Sequence, residues 1–256
     1  MDKNRFAIYA QPIRPIIANT DEPERLEILL RLRDPESRKL IPPGAFLPAA
    51  ERYGLSVELD KWVVQSLLDT LFVHSAFKAD QRSYWINLSG SSVGDKRFAE
   101  FLKAAIARSP LPPGTINFEI TETAVIRSVS EAGSLMADLR EMGCQFALDD
   151  FGSGLSSFGY LKKLPVDYIK IDGMFVRDLI HDHTDRIFVK SIIDIAETLN
   201  IKTIAEFVEN DETLKIVSEL GAGYAQGFAI GRPFELAPRF PRTTNPDVAI
   251  FQAKTG

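Results

Sequence analysis

The stretch Gln145-Phe146-Ala147-Leu148-Asp149-Asp150 is an apolar run that breaks on two acids, and two more runs of the same build follow it. Tyr168-Ile169-Lys170-Ile171 and Lys202-Thr203-Ile204-Ala205-Glu206 are likewise short, apolar and closed by a charged residue at or near the end. Runs of this length read as strands buried on both faces, the habit of a parallel sheet. Between the last two lie Phe188, Ile192, Ile195 and Leu199 at helical spacing, ending before Asn200. Strand, helix, strand is therefore the local rule.

Working outward, the same alternation extends in both directions. Upstream runs at Tyr84 to Leu88 and Ile116 to Ile120, a downstream run at Tyr224 to Ile230, and two initial runs at Phe6 to Ile13 and Glu27 to Leu32 bring the strands to eight. Helical patterns at Leu59, Val63, Leu67, Leu71, at Phe98, Phe101, Leu102, Ala105, and at Leu135, Leu139, Met142 before Gly143 separate them. A last helix should run from a capping Asp211 through Leu214, Val217 and Leu220 to Gly221. Eight strands with intervening helices predict an α/β protein built as a TIM-like (β/α)8 barrel, better than an open doubly wound sheet. The connection Arg14 to Leu26, with Pro15, Asn19, Asp21 and Pro23, is too short and broken for a helical crossover. Strands one and two should thus form an antiparallel hairpin, with one strand running against the barrel.

Composition agrees with one domain over 1–256. The chain is 256 residues long, 45% hydrophobic and 25% charged, which excludes disorder and small disulfide scaffolds. Its net charge of -5 argues against binding a DNA or RNA polymer through the phosphate backbone. A single cysteine, Cys144, forms no internal disulfide and is read as a small buried apolar residue; nothing requires an oxidising compartment. No apolar run approaches a membrane span, so a cytoplasmic domain is expected. The chain begins almost directly in strand-like sequence, as would a piece of a larger, even membrane-attached, parent. The tail after Pro238, with Pro241 and Pro246, reads as a surface extension.

In a barrel the C-terminal strand ends converge on one face. Here they carry Asn87, Glu119, Asp149 with Asp150, Lys170, Glu206 and Gln226 in series. Carboxylates gathered in one mouth repel one another, and oxygen-ligated Mg²⁺ or Mn²⁺ is the natural counterion. Glu27 stands at the start of its strand, so its joining the cluster would make strand two the reversed one. One lysine among acids suggests phosphoryl chemistry, or proton abstraction beside a carbonyl.

In order and spacing these residues resemble the EAL-domain cyclic di-GMP phosphodiesterases over nearly the whole chain. The carriers are Gln11-Pro12-Ile13, Glu27-Ile28-Leu29-Leu30-Arg31, Ile41-Pro42-Pro43, Asn87-Leu88-Ser89 and Glu119-Ile120-Thr121-Glu122. Asp149-Asp150-Phe151-Gly152-Ser153-Gly154, Lys170-Ile171-Asp172, Ala205-Glu206 and Gln226-Gly227 complete the set. The resemblance implies metal-dependent hydrolysis of cyclic di-GMP to the linear 5′-phosphorylated dinucleotide, which lowers a bacterial second messenger. It implies two divalent ions, one held by Glu27, Asn87, Glu119 and Asp149, the other by Asp149, Asp150 and Glu206. It implies that Lys170 holds or activates the attacking water and that Gln226 supports the water and metal shell. Gln11, Leu29, Arg31, Gln226 and Glu209 would bear on the substrate, and Glu122 would tether the loop that starts at Asp149, coupling metal binding to dimerisation. A homodimer and a regulatory or diguanylate-cyclase-like domain in the parent chain are further implications. In such a metal-rich field Lys170 should have a depressed pKa.

Three positions depart from the family pattern: Leu32 stands for a tryptophan, Leu155 for a tyrosine, and Phe207 for a glycine, where its ring would crowd the second metal. A catalytically weak receptor for the same nucleotide is the alternative reading, and an enolase-like barrel a third, which would need a capping domain. Gly152 to Ser157 makes a poor dinucleotide fingerprint, because its third small residue is serine and no partner acid is evident. His181-Asp182-His183 reads as a solvated loop opening a helix, and Trp62 and Phe72 as rings packed on the barrel.

Overall fold

The computed structural model describes residues 5–16, 22–72, 82–153 and 158–236. Asn19, Asp21, Gly154 to Ser157 with Leu155, and the tail beyond Leu236 lie outside the described residues. The chain opens with strands β1 (Phe6–Pro15), β2 (Arg25–Arg33) and β3 (Leu40–Ile41) and helices α1 (Pro43–Arg52) and α2 (Ser56–Phe72). Then come β4 (Ser83–Leu88), α3 (Gly90–Val93), α4 (Lys96–Arg108), β5 (Ile116–Thr121), α5 (Glu122–Arg127), α6 (Val129–Glu141) and β6 (Phe146–Phe151). After a 3-10 turn at Phe158–Lys163 follow β7 (Tyr168–Ile171), α7 (Gly173–Val176), α8 (His183–Thr198), β8 (Lys202–Ala205), α9 (Asp211–Leu220), β9 (Tyr224–Gln226) and β10 (Phe234–Glu235).

The sheet closes on itself in the order β1, β2, β4, β5, β6, β7, β8, β9 and back to β1, making an eight-stranded barrel with β3 and β10 as additions at β2 and β1. β1 runs antiparallel to both β2 and β9, whereas β2 runs parallel to β4. The hairpin is as expected, but the reversed strand is β1 and not β2. Glu27 stands early in its strand for another reason: β2 continues past the barrel rim, where Leu32 and Arg33 pair with β3.

Alternate strand residues face opposite sides, and the two sides differ. The outward set, including Ile28, Ile86, Phe118, Ile120, Leu148, Ile169 and Ile171, joins one large apolar cluster with the helices. Inside the barrel, Ile13, Trp85, Ala147, Tyr168, Ile204 and Tyr224 form a separate plug. Tyr168 meets Trp85 edge-on at 5.0 Å and Tyr224 at 5.7 Å. Beneath the plug Arg25 stacks on Tyr224 at 4.4 Å, and its NH2 donates to Glu22 (2.7 Å) and the Tyr168 hydroxyl (3.1 Å). With its lower half filled, the barrel leaves only the C-terminal mouth for chemistry.

Three local readings are corrected. α9 is capped by Asn210, whose side chain accepts from Thr213 N, and Asp211 is its first helical residue. The eighth strand stops at Gln226 because Gly227 brings the chain against Val208, where a Cβ would lie 2.2 Å from the carbonyl oxygen. Trp62 packs on Phe6 at 5.3 Å, but Phe72 ends its helix 59% exposed. As read, Cys144 is buried, and His183 opens a helix capped by Asp182. Among the described residues no helix is long and apolar enough to cross a membrane.

Candidate metal and active site

Two consecutive strand residues normally point to opposite faces, yet both Asp149 and Asp150 reach the mouth. Between β6 and β7, Leu148 pairs with Ile169 and Phe151 with Ile171, so that Asp149 and Asp150 together stand opposite Lys170. This is a β-bulge. Asp150 completes it in the left-handed region (φ 53°), which redirects its carboxylate toward its neighbour's side. Ligand oxygens of Asp149, Asp150 and Glu206 consequently lie within 4.8 Å of one another.

Lys170, 1% exposed, occupies the centre of the ring. Its Nζ lies 2.6 Å from Glu119 Oε2, 2.9 Å from Glu206 Oε1, 3.0 Å from Asp149 Oδ1 and 3.5 Å from Glu27 Oε2. Asn87 Nδ2 donates to Glu27 Oε1 (2.7 Å), and Gln226 Nε2 donates to Glu27 Oε2. Burial alone would favour a neutral lysine, but Asp149, Glu119, Glu206 and Glu27 outweigh it and hold the ammonium well above its ordinary pKa. In the ring without a cation, attraction by the surrounding carboxylates exceeds desolvation, whereas the depressed value expected for Lys170 belongs to the cation-loaded ring.

The carboxylates divide between two responses to the same crowding. Burial raises Glu27, but Lys170, Gln226 and Asn87 bring it below its ordinary value. Burial pushes Glu119 well up despite Lys170, with Glu27 and Asp149 adding repulsion, and pushes Glu206 up to about 8. Burial and then the charges of Asp149 and Asp172 raise Asp150 to about 6. The ring has more negative charge than one ammonium neutralises.

The remaining candidates sit at different distances from this ring. Glu122, 1% exposed, accepts from Gly152 N (3.0 Å) on one oxygen and from the Tyr160 hydroxyl (2.6 Å) on the other. It ties the backbone beyond β6 to the 3-10 turn. Gln11 pairs across the hairpin with Glu27 and donates to Gly231 O (3.2 Å). Leu29 and Arg31 follow Glu27 on the same face of β2, with the Arg31 guanidinium 5.7 Å from the Tyr9 ring. Glu209 is exposed, and no described hydrogen bond or ion pair joins its side chain to the ring.

Phe207 adopts φ 52°, a conformation that favours glycine. Its ring lies against Gly173, where an added Cβ would be 2.1 Å from Cδ2, and under the Arg177 guanidinium at 4.1 Å. These contacts draw the ring to the start of α7, whereas the Glu206 carboxylate turns to Lys170. Sequence reasoning missed Tyr160 and Arg177, because neither ends a strand; their roles arise from contacts across long chain separations.

The donor set suits a hard cation. Glu119 Oε1, Asp149 Oδ1 and Gln226 Oε1 are buried without a hydrogen-bond partner, Asp149 Oδ1 being near Lys170 but outside bonding geometry. Unpartnered buried oxygens are costly, and all-oxygen ligation is the preference of Mg²⁺, Mn²⁺ or Ca²⁺.

The sequence and the fold have counterparts in known proteins. Residues 1–233 match the model of the EAL domain. Over 237 residues the chain is 42% identical to the cyclic di-GMP phosphodiesterase PdeB of Shewanella oneidensis, covering 93% of this chain and 27% of that protein. It is 36% identical to the cyclic di-GMP phosphodiesterase PdeF of Escherichia coli, covering 91% of this chain and 30% of that protein. The chain thus spans less than a third of the length of these two curated relatives. The crystal structure of the FimX EAL domain from Pseudomonas aeruginosa bound to c-di-GMP superposes with a TM-score of 0.81 at 31% identity, covering 92% of this chain and 93% of that one. On the match of its sequence and its barrel, the chain belongs to the EAL domain family.

Proposed function

We propose that this chain hydrolyses cyclic di-GMP to the linear 5′-phosphorylated dinucleotide with the aid of two divalent cations, Mg²⁺ or Mn²⁺. The observation that carries the reading is the Asp149-Asp150 bulge opposite Lys170, which gathers their carboxylates with that of Glu206. Relatives named for this activity support it. Glu27, Asn87, Glu119 and Asp149 would hold one cation, and Asp149, Asp150 and Glu206 the other. Such a pair, when bound, lowers the pKa of a water and stabilises the departing oxygen of the phosphodiester.

The chain's own groups supply position and charge. Lys170, within 3.5 Å of four carboxylates, would hold or activate the attacking water. Gln226 and Asn87 fix the Glu27 carboxylate, and Glu122 holds the backbone at Gly152 next to Asp150. Gln11, Leu29, Arg31 and Glu209 would meet the nucleotide at the rim, with Arg31 facing a phosphate. A cytoplasmic setting, a homodimer and an attached regulatory or cyclase-like domain belong to the same proposal; a bifunctional relative, MucR of Pseudomonas aeruginosa, supports the last.

The test is incubation of the purified chain with cyclic di-GMP and Mn²⁺ or Mg²⁺, with products resolved by chromatography beside Lys170→Ala and a chelator. Linear product that disappears in both controls is expected. Nucleotide that binds but stays intact would replace the hydrolase with a receptor, and absence of binding would overturn the substrate.

A further inference from the structure

Outside the ring, Asp60, on the first turns of α2, is a partly buried carboxylate with no ion pair among the described residues. Its Oδ2 accepts from Ser89 N (2.8 Å) and from Ser92 Oγ (2.6 Å). Burial raises its pKa, against the hydrogen bonds from Ser92 and Ser89. A carboxylate held only by neutral donors is a costly way to brace a helix against a loop, and what it braces is the exit of β4. Ser89 caps α3 by accepting from Ser92 N, and its hydroxyl lies 3.1 Å from that of Ser92. Asp60, Ser89 and Ser92 therefore make a closed set of bonds that fixes the backbone two residues beyond Asn87. Asn87 itself is exposed at the mouth and bonded there to Glu27.

We infer that Asp60 is a positioning residue for the cation site: through Ser89 it sets the β4 exit, and hence the Asn87 side chain against Glu27. The inference rests on the proposed role of Asn87 as a metal ligand. Partners one shell removed from a metal commonly govern its affinity by about 10- to 100-fold. Here the partner acts through backbone, so the lower end is expected.

The experiment is Mn²⁺ binding by calorimetry to the wild type, Asp60→Ala, Asn87→Ala and the double variant, with thermal unfolding recorded for each. Asp60→Ala should weaken Mn²⁺ about 10-fold, Asp60→Asn, which keeps an acceptor for Ser89 N, should recover most of the loss, and in the Asn87→Ala background Asp60→Ala should change nothing further. An equal loss in both backgrounds, or no loss in the first, overturns the inference while leaving Asn87 as a ligand. If Asn87→Ala leaves Mn²⁺ affinity unchanged, its ligand role is overturned, and the inference with it. Should Asp60→Ala not fold, Ser92→Ala removes one bond to Oδ2 in a folded chain, and the same coupling to Asn87 must appear there in smaller measure.

Discussion

The ammonium of Lys170 lies 2.6 Å from Oε2 of Glu119, and the two side chains are 1% and 0% exposed. Among the described residues, this contact places the only buried cation of the mouth against its most deeply buried acid. Removing one partner of such a pair strands the other charge, at a cost of about 3–5 kcal/mol. Lys170→Met should therefore lower the Tm by roughly 6–20 °C at neutral pH, taking about 2–4 °C per kcal/mol at this chain length. Mn²⁺ should restore part of the loss, since another cation then faces the carboxylates. Scanning calorimetry with and without Mn²⁺ measures both effects, and an unmoved Tm would remove Lys170 as the counterion.

Phe207 and Gly173 make a second, separable pair. An alanine methyl at 173 would intrude on the Phe207 ring, and overpacking of this kind costs about 1–3 kcal/mol. Gly173→Ala should destabilise the wild type by that amount and cost much less in a Phe207→Gly background. Phe207→Gly alone should be mild, within about 1 kcal/mol, because relief of the left-handed φ offsets loss of the Arg177 stack. Urea unfolding of the four forms gives the coupling; additive losses would show that ring and glycine do not meet.

Much of this was legible beforehand because barrel strands are apolar on both faces and their C-terminal ends carry the polar residues. Asn87, Glu119, Asp149, Glu206 and Gln226 could be found from where each apolar run stops. The direction of β1 could not, because a hairpin reverses one of two strands and sequence does not say which; only the parallel pairing of β2 with β4 decides. Asp150 was legible as a candidate, but its bulge was not, since a one-residue register shift leaves no periodic trace. Nor was the contact of Lys170 with four carboxylates at once, which depends on distances across the mouth rather than on the type of its chain neighbours. Phe207 stood out against the family's glycine, and its positive φ supplies the reason glycine suits that place.

The floor of the barrel offers a pH test away from the mouth. Burial raises Glu22, but hydrogen bonds from Tyr224 and Arg25 and the charges of Arg25 and Lys202 bring it from 4.5 down to about 2. A depressed carboxylate contributes stability that is full above its unfolded pKa, about 4.5, and is lost as pH falls toward about 2. Glu22 is 30% exposed, so solvent screening reduces the contribution to the order of 1 kcal/mol. Wild type should exceed Glu22→Gln by that margin at pH 7, with the urea midpoints converging between pH 4.5 and 2. A difference independent of pH would mean that Glu22 acts by packing and not by charge.

Asp149 separates the metal role from the structural one, because it is shared by both proposed cation positions yet adds charge to an already repulsive ring. Asp149→Asn keeps the shape of the side chain while removing one of four carboxylates around a single ammonium. Without divalent cation the variant should unfold at or slightly above the wild-type temperature. With Mn²⁺ at about 100 times its Kd the wild type should gain about 2.7 kcal/mol, and the variant little or none. Turnover of cyclic di-GMP should fall by about 10³-fold or more, a loss of roughly 4 kcal/mol from the barrier. A variant that loses turnover but keeps the full Mn²⁺ shift would place Asp149 outside the metal shell, and one that unfolds would make its role structural.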